Sequence, residues 1–98
     1  MNSEGGPPNG DVDAALGLTR ALRQGIDLLG LNPEVTSELL DHLHAAELSI
    51  TDEDRSMLID HIKAIRYILL EMADGPLAPF LADAAAVIIG DGFGRLFS

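Results

Sequence analysis

The three histidines are the residues whose type and spacing come closest to a chemical site. Each follows an acidic residue, by four positions at Glu38 and His42, by three at Asp41 and His44, and by one at Asp60 and His61. A carboxylate and an imidazole on one helix face could bind a transition metal or transfer a proton. The spacing therefore has to be compared with what such sites require.

The requirements of a helical metal site are not met by this pattern. Di-iron bundles need two Glu-x-x-His pairs and two further glutamates, whereas this chain has a single Asp-x-x-His. The side chains of His42 and His44 would point about 200° apart on an ideal helix. We therefore predict no metal site and no cofactor, and we interpret the histidines as surface residues.

Catalytic motifs are equally weak. Ser37, Ser49 and Ser56 stand in no nucleophile motif, and no strand is predicted from which a phosphate loop could start. The glycine-rich run over residues 90–94 lacks the lysine and the following helix of a phosphate-binding loop. We expect a protein that is not an enzyme; a metal-binding helical enzyme is the least favoured alternative.

The charge balance restricts the possible partners. Sixteen acidic residues against six basic ones give a formal charge of −10, which opposes direct contact with nucleic acid or anionic lipid. The absence of cysteine excludes disulfides and cysteine-bound zinc. The second predicted helix should carry an acidic face formed by Glu34, Glu38, Asp41 and Glu47. We interpret this face as a solvated surface. Alternatively, the protein is an acidic inhibitor that mimics nucleic acid.

Apolar spacing predicts four helices, over about residues 11–29, 33–47, 52–74 and 77–90. Asp11, Asn32 and Thr51 are the expected N-caps, and Gly30 and Gly75 the expected stops. Residues 1–10 are rich in Gly, Pro and Asn and are expected to form a flexible tail. The predicted fold is all-α: a small antiparallel four-helix bundle with short loops, a single domain over residues 11–98 with the third helix at its centre.

Small residues repeat along the first helix at Gly17, Ala21 and Gly25. Interior glycines cost about 1 kcal/mol each relative to alanine. The repeat favours a second helix packed closely against this face, although an ordinary surface helix weakened by glycine fits as well.

Apolar residues are in surplus in the C-terminal half. The stretch from Phe80 to Ile89 contains one charge in ten residues, yet it is shorter than the roughly 20 residues of a membrane span. A small domain buries only about 60–70% of its unfolded surface, so a partner interface is expected, unless the four helices pack tightly enough to cover these side chains. The candidate interface residues are Leu69, Leu70, Phe80, Leu81, Val87, Ile88, Ile89, Phe93, Leu96 and Phe97.

These features together predict a non-catalytic helical protein–protein interaction module. It would form a homo-oligomer or dock on a larger protein, as adaptors, assembly chaperones and small structural components do. The basic residues are five arginines and one lysine, a bias typical of GC-rich bacterial or phage genomes. The first ten residues lack the basic start and apolar segment of a secretory signal, so we expect a cytoplasmic protein.

Overall fold

The computed structural model describes the backbone of residues 9–97 and the side chains of residues 12–90. The chain forms α1 (Asn9–Gly25), a 3₁₀ turn (Ile26–Leu28), α2 (Pro33–Thr51), α3 (Arg55–Glu71) and α4 (Leu77–Phe97). Residues 9–97 contain no strand. The predicted all-α four-helix bundle is confirmed. Of the predicted tail, residues 1–8 lie outside the described residues, while Asn9 and Gly10 already belong to α1. Asp11 is therefore a residue of the helix and not the N-cap that the sequence predicted.

The start of α2 follows the sequence prediction. The Asn32 side chain accepts a hydrogen bond from the Val35 N–H at 2.9 Å, and Pro33 occupies the first helical position. Asparagine supplies an acceptor for an otherwise unpaired amide, and proline lacks the amide that would remain unpaired there. This helix therefore begins where the sequence indicates.

The start of α3 differs from the prediction. Thr51 is the last residue of α2, and its Oγ1 donates to the Glu47 carbonyl at 3.3 Å. Asp54 is the N-cap, and its side chain accepts from the Met57 N–H at 3.1 Å. The chain reverses between the two helices at Glu53, which has a φ of 57°. Thr51 is thus not the cap, because α2 continues one turn further than expected.

The loops at residues 29–32 and 72–76 meet at one end of the bundle. The Asp74 N–H donates to the Leu29 carbonyl at 2.7 Å. Gly30 and Gly75 have φ values of 65° and 89°, a region that favours glycine. A Cβ on Gly75 would also lie 3.3 Å from the Leu28 carbonyl oxygen. Both glycines are therefore needed where the loops pack together.

The core lies between all four helices. α3 packs against both α2 and α4, and α1 packs against α4 and α2, which places α3 between its two neighbours in sequence. Burying a leucine or isoleucine stabilises the fold by about 1.5–3 kcal/mol. The largest fully buried apolar side chains are Leu22, Leu29, Leu39, Leu43, Ile62, Ile65 and Leu69.

α4 is longer than the sequence pattern indicates, because it continues to Phe97 instead of ending near Gly90. Glycine raises the free energy of a helix by about 1 kcal/mol but does not prevent the helical conformation. The predicted end near residue 90 is therefore wrong, and the described backbone stays helical through Gly90, Gly92 and Gly94.

Candidate partner-binding groove

An open apolar groove runs between α1 and α4. Its volume is about 390 Å³. Among residues 12–90, the residues that line it are all apolar: Ala14, Gly17, Leu18 and Ala21 from α1, and Phe80, Leu81, Ala84, Val87 and Ile88 from α4. We call this surface the α1–α4 groove. The described part of its lining is thus uniformly apolar, and exposed apolar surfaces commonly mark contact sites.

The α1 wall of the groove contains a hollow at Gly17, because small residues repeat along this wall. Ala14, Gly17 and Ala21 are spaced by three and four residues and therefore share one helix face. A Cβ placed on Gly17 would meet no atom within 4 Å. The wall consequently has room for a side chain from another molecule.

The α4 wall protrudes into solvent. Phe80 and Val87 are 69% and 63% exposed, and their separation of seven residues places them two turns apart on the same face. Their neighbours Leu81 and Ile88 are 2% and 4% exposed and face the core. α4 therefore presents one apolar face to the bundle and a second to solvent.

The close helix approach expected of the small-residue stripe occurs at one end of it. Gly25 is buried, and a Cβ there would lie 2.6 Å from Leu77 Cδ2. At Gly17 no such contact exists. The stripe thus permits tight packing of α1 on α4 at Gly25 and leaves the groove open toward Gly17.

The sequence-predicted interface residues divide into several groups. Leu70, Phe80 and Val87 are exposed, and Ile89 is half-buried. By contrast, Leu69, Leu81 and Ile88 belong to the core, and Leu81 and Ile88 only form the floor of the groove, because α3 and α4 each turn one apolar side inward. The side chains of Phe93, Leu96 and Phe97 lie outside the described residues.

The contribution of α1 to the groove was missed by a prediction limited to α3 and α4. The residues concerned are small, and a hydrophobicity pattern gives them little weight. The signal that could have identified them is the repeat of Gly17 and Ala21, which marks a face where large side chains are absent. That face and the exposed side chains of α4 lie side by side in the fold.

The acidic face holds three exposed carboxylates and one that is paired. Glu34, Glu38 and Asp41 are exposed. Glu47 accepts hydrogen bonds from Arg23 on α1. These hydrogen bonds lower the pKa of Glu47, outweighing the opposing effect of partial burial, and they raise the pKa of Arg23. Glu47 is therefore paired with Arg23 at a partly exposed position.

Only one of the three histidines is an exposed surface residue, whereas the sequence predicted this of all three. His42 on α2 and His61 on α3 are half-buried and meet with their Nδ1 atoms 3.1 Å apart, whereas His44 is exposed. Within residues 12–90, no three His, Asp or Glu side chains are grouped as metal ligands. The pairing depends on the register of α2 against α3, which the sequence does not reveal.

The helices of the described region include none with both the length and the apolar character needed to cross a bilayer. Comparison of the chain with protein-family models, curated proteins and solved structures finds no match.

Proposed function

We propose that this chain is a non-catalytic helical interaction module that pairs with a second copy of itself through the α1–α4 groove. The observation that carries the proposal is the juxtaposition of exposed Phe80 and Val87 with the hollow at Gly17. In a two-fold symmetric dimer, each contact between a residue of one copy and a residue of the other occurs a second time with the copies exchanged. A surface that has both a protrusion and a hollow can therefore be complementary to a second copy of itself.

Apolar burial would drive this association. Phe80 and Val87 are among the most exposed large apolar side chains of the described residues, and burying a side chain of this size contributes about 1.5–3 kcal/mol. A second copy would bring two of each into contact with small residues. Large apolar side chains at the centre of an interface commonly supply most of its binding energy.

The net charge supplies an independent test of the proposed partner. Two copies with a formal charge of −10 each repel one another. Salt screens this repulsion, so self-association through an apolar surface should persist or strengthen between about 0.05 and 0.5 M salt. Binding of a basic enzyme by an acidic imitator of nucleic acid would weaken over the same range.

The alternative of nucleic-acid imitation has less support from the side chains. Its acidic face was expected to include Glu47, but that carboxylate is bound to Arg23. The other three residues of the predicted acidic face, Glu34, Glu38 and Asp41, occupy only part of one helix. The described residues that line the groove are apolar, which favours a protein contact over either alternative, the nucleic-acid mimic or the enzyme.

The proposed setting is an assembly or adaptor role in the cytoplasm of a bacterium or in a phage complex. The bias toward arginine over lysine supports only the bacterial or phage part of this setting. A docking partner among larger proteins would occupy the same groove and would compete with the second copy.

The oligomeric state in solution tests the proposal. Sedimentation equilibrium over a wide concentration range should show a reversible dimer. Phe80→Asp, Val87→Asp and Gly17→Leu should each shift it toward monomer, the first two by adding charge and the third by filling the hollow. Tyr67→Asp is the matched control, because Tyr67 is 59% exposed but does not line the groove.

Two results would overturn the proposal. One is a wild-type chain that stays monomeric at the highest soluble concentration, in which case the groove is covered by a different protein or remains open. The other is a dimer that survives all three groove substitutions, which would place the interface elsewhere. Circular dichroism of each variant distinguishes loss of association from loss of folding.

A further inference from the structure

The two half-buried histidines bring their coordinating atoms together across a helix pair. Nδ1 of His42 on α2 lies 3.1 Å from Nδ1 of His61 on α3. The ring centroids are 5.3 Å apart and the ring planes are tilted by 50°, so the rings meet through their nitrogens and do not stack face to face. With a proton on one Nδ1, the pair forms a hydrogen bond.

The same separation suits two ligands of one metal ion. At a metal–nitrogen distance of about 2.0–2.1 Å, two nitrogens 3.1 Å apart subtend about 95–102° at the metal. That angle lies between the roughly 90° of square-planar coordination and the roughly 109° of tetrahedral coordination. A divalent ion bound to both Nδ1 atoms would therefore have an ordinary ligand angle, and it would replace the proton of the hydrogen bond.

The helices hold the two imidazoles in place. Leu43 and Ile62, the neighbours of His42 and His61 in sequence, are fully buried in the core, and α2 packs against α3. Ligands on packed helices are better fixed than ligands on loops. Partial exposure of both histidines leaves the pair accessible to an ion from solvent.

We infer that His42 and His61 form an open two-histidine site for a divalent first-row transition metal. Imidazole ligands suit copper, nickel and zinc, and the general affinity order favours Cu²⁺ among them. No third side-chain ligand is grouped with the pair within residues 12–90, so water would complete the coordination. The inference is independent of the proposed dimer, because both ligands come from one chain.

Titration with Cu²⁺ by calorimetry tests the site, with tag-free protein in a weakly coordinating buffer. The wild-type chain should bind one ion per chain at this site. His42→Gln and His61→Gln should each weaken binding about tenfold or more, because either leaves a single imidazole. His44→Gln is the matched control, since His44 is exposed and lies outside the pair, and its affinity should equal that of the wild type.

A second measurement keeps the test valid if a substitution disturbs folding. In the wild-type chain, substoichiometric Cu²⁺ should broaden the imidazole NMR resonances of His42 and His61 before those of His44. Equal broadening of all three histidines would overturn the inference. So would unchanged Cu²⁺ affinity in folded His42→Gln or His61→Gln, or an equal loss in His44→Gln.

Discussion

Arg23 and Glu47 form a bidentate ion pair that connects α1 to α2. Arg23 Nε donates to Glu47 Oε2 at 2.9 Å, and Nη2 donates to Oε1 at 2.7 Å. The two residues are 24 positions apart in sequence. Their side chains remain 41% and 33% exposed, so solvent screening reduces the energy of the pair to the range of surface ion pairs.

We predict a small but measurable coupling between these residues. A double-mutant cycle with Arg23→Met and Glu47→Gln should give a coupling free energy of about 0.3–1 kcal/mol in urea unfolding at neutral pH. Glu38→Gln serves as the control, because Glu38 is exposed on the same helix. A cycle that shows no coupling at low salt would contradict this expectation.

The pH dependence of that coupling has a defined sign. The Arg23 hydrogen bonds lower the pKa of Glu47 in the folded chain, so the unfolded chain takes up the proton first as the pH falls. The contribution of the pair is complete above the ordinary glutamate pKa of about 4.3 and is lost as the pH drops through the lower folded-state value. Repeating the cycle across this range checks the direction, and coupling that grows on acidification would refute it.

Gly17 and Gly25 should respond differently to alanine. At Gly17 an added Cβ meets no atom within 4 Å, so Gly17→Ala should stabilise the monomer by about 0.5–1 kcal/mol through helix propensity. At Gly25 the Cβ would lie 2.6 Å from Leu77 Cδ2. Displacing Leu77 offsets that gain, so Gly25→Ala should be neutral or destabilising in urea unfolding at a concentration where the chain is monomeric.

The Leu77 side chain is the specific cause expected for this difference. In a Leu77→Ala background the obstructing atom is gone, so adding Gly25→Ala should stabilise the chain relative to Leu77→Ala alone. If Gly25→Ala destabilises both backgrounds equally, backbone conformation rather than packing against α4 is responsible.

The sequence predicted the positions of the helices better than it predicted which side of each helix packs against the others. Periodic apolar residues and the Asn32 cap are local signals, and both correspond to observed structure. The choice between adjacent apolar residues is not local. On α3, Leu69 is buried and Leu70 exposed, but a helix that is apolar on several sides does not reveal which side faces its neighbours. The contact between His42 and His61 likewise depends on how α2 and α3 align.

The N-cap of α3 is another feature that local sequence signals did not predict, because packing decides it. Thr51 and Asp54 are both residue types that cap helices well, and the local pattern favoured Thr51. Packing favours Asp54, because α2 continues through Ser49, which is buried and donates to the Ala45 carbonyl at 2.8 Å. Continuing α2 places Thr51 inside the helix and moves the reversal to residues 52–54.

Substitution at the two candidate caps should reflect this arrangement. Asp54→Ala removes the acceptor for the Met57 N–H and should destabilise the chain by about 0.5–2 kcal/mol. Thr51→Ala removes only a long hydrogen bond to the Glu47 carbonyl, and alanine has the higher helix propensity, so its effect should lie within about 0.5 kcal/mol of zero. Urea unfolding of the two variants checks the ranking, and a larger loss in Thr51→Ala would contradict the observed start of α3.

The adjacent residues Phe80 and Leu81 should separate association from folding. Leu81 is 2% exposed, so Leu81→Ala leaves a cavity in the core and should destabilise the monomer by about 2–5 kcal/mol. Phe80 is 69% exposed, so Phe80→Ala should change monomer stability by less than about 0.5 kcal/mol while weakening the proposed dimer. Urea unfolding at low protein concentration, combined with sedimentation of the same samples, measures both quantities.

Charged substitutions in the core should behave like Leu81→Ala rather than like Phe80→Ala. Leu69→Asp and Ile88→Asp place a carboxylate where the native side chains are 2% and 4% exposed, and an unpaired buried charge is strongly destabilising. Both variants should lose helical circular dichroism instead of yielding folded monomers. A folded, monomeric Ile88→Asp would show that this side of α4 faces a partner, and it would contradict the packing of α4 described above.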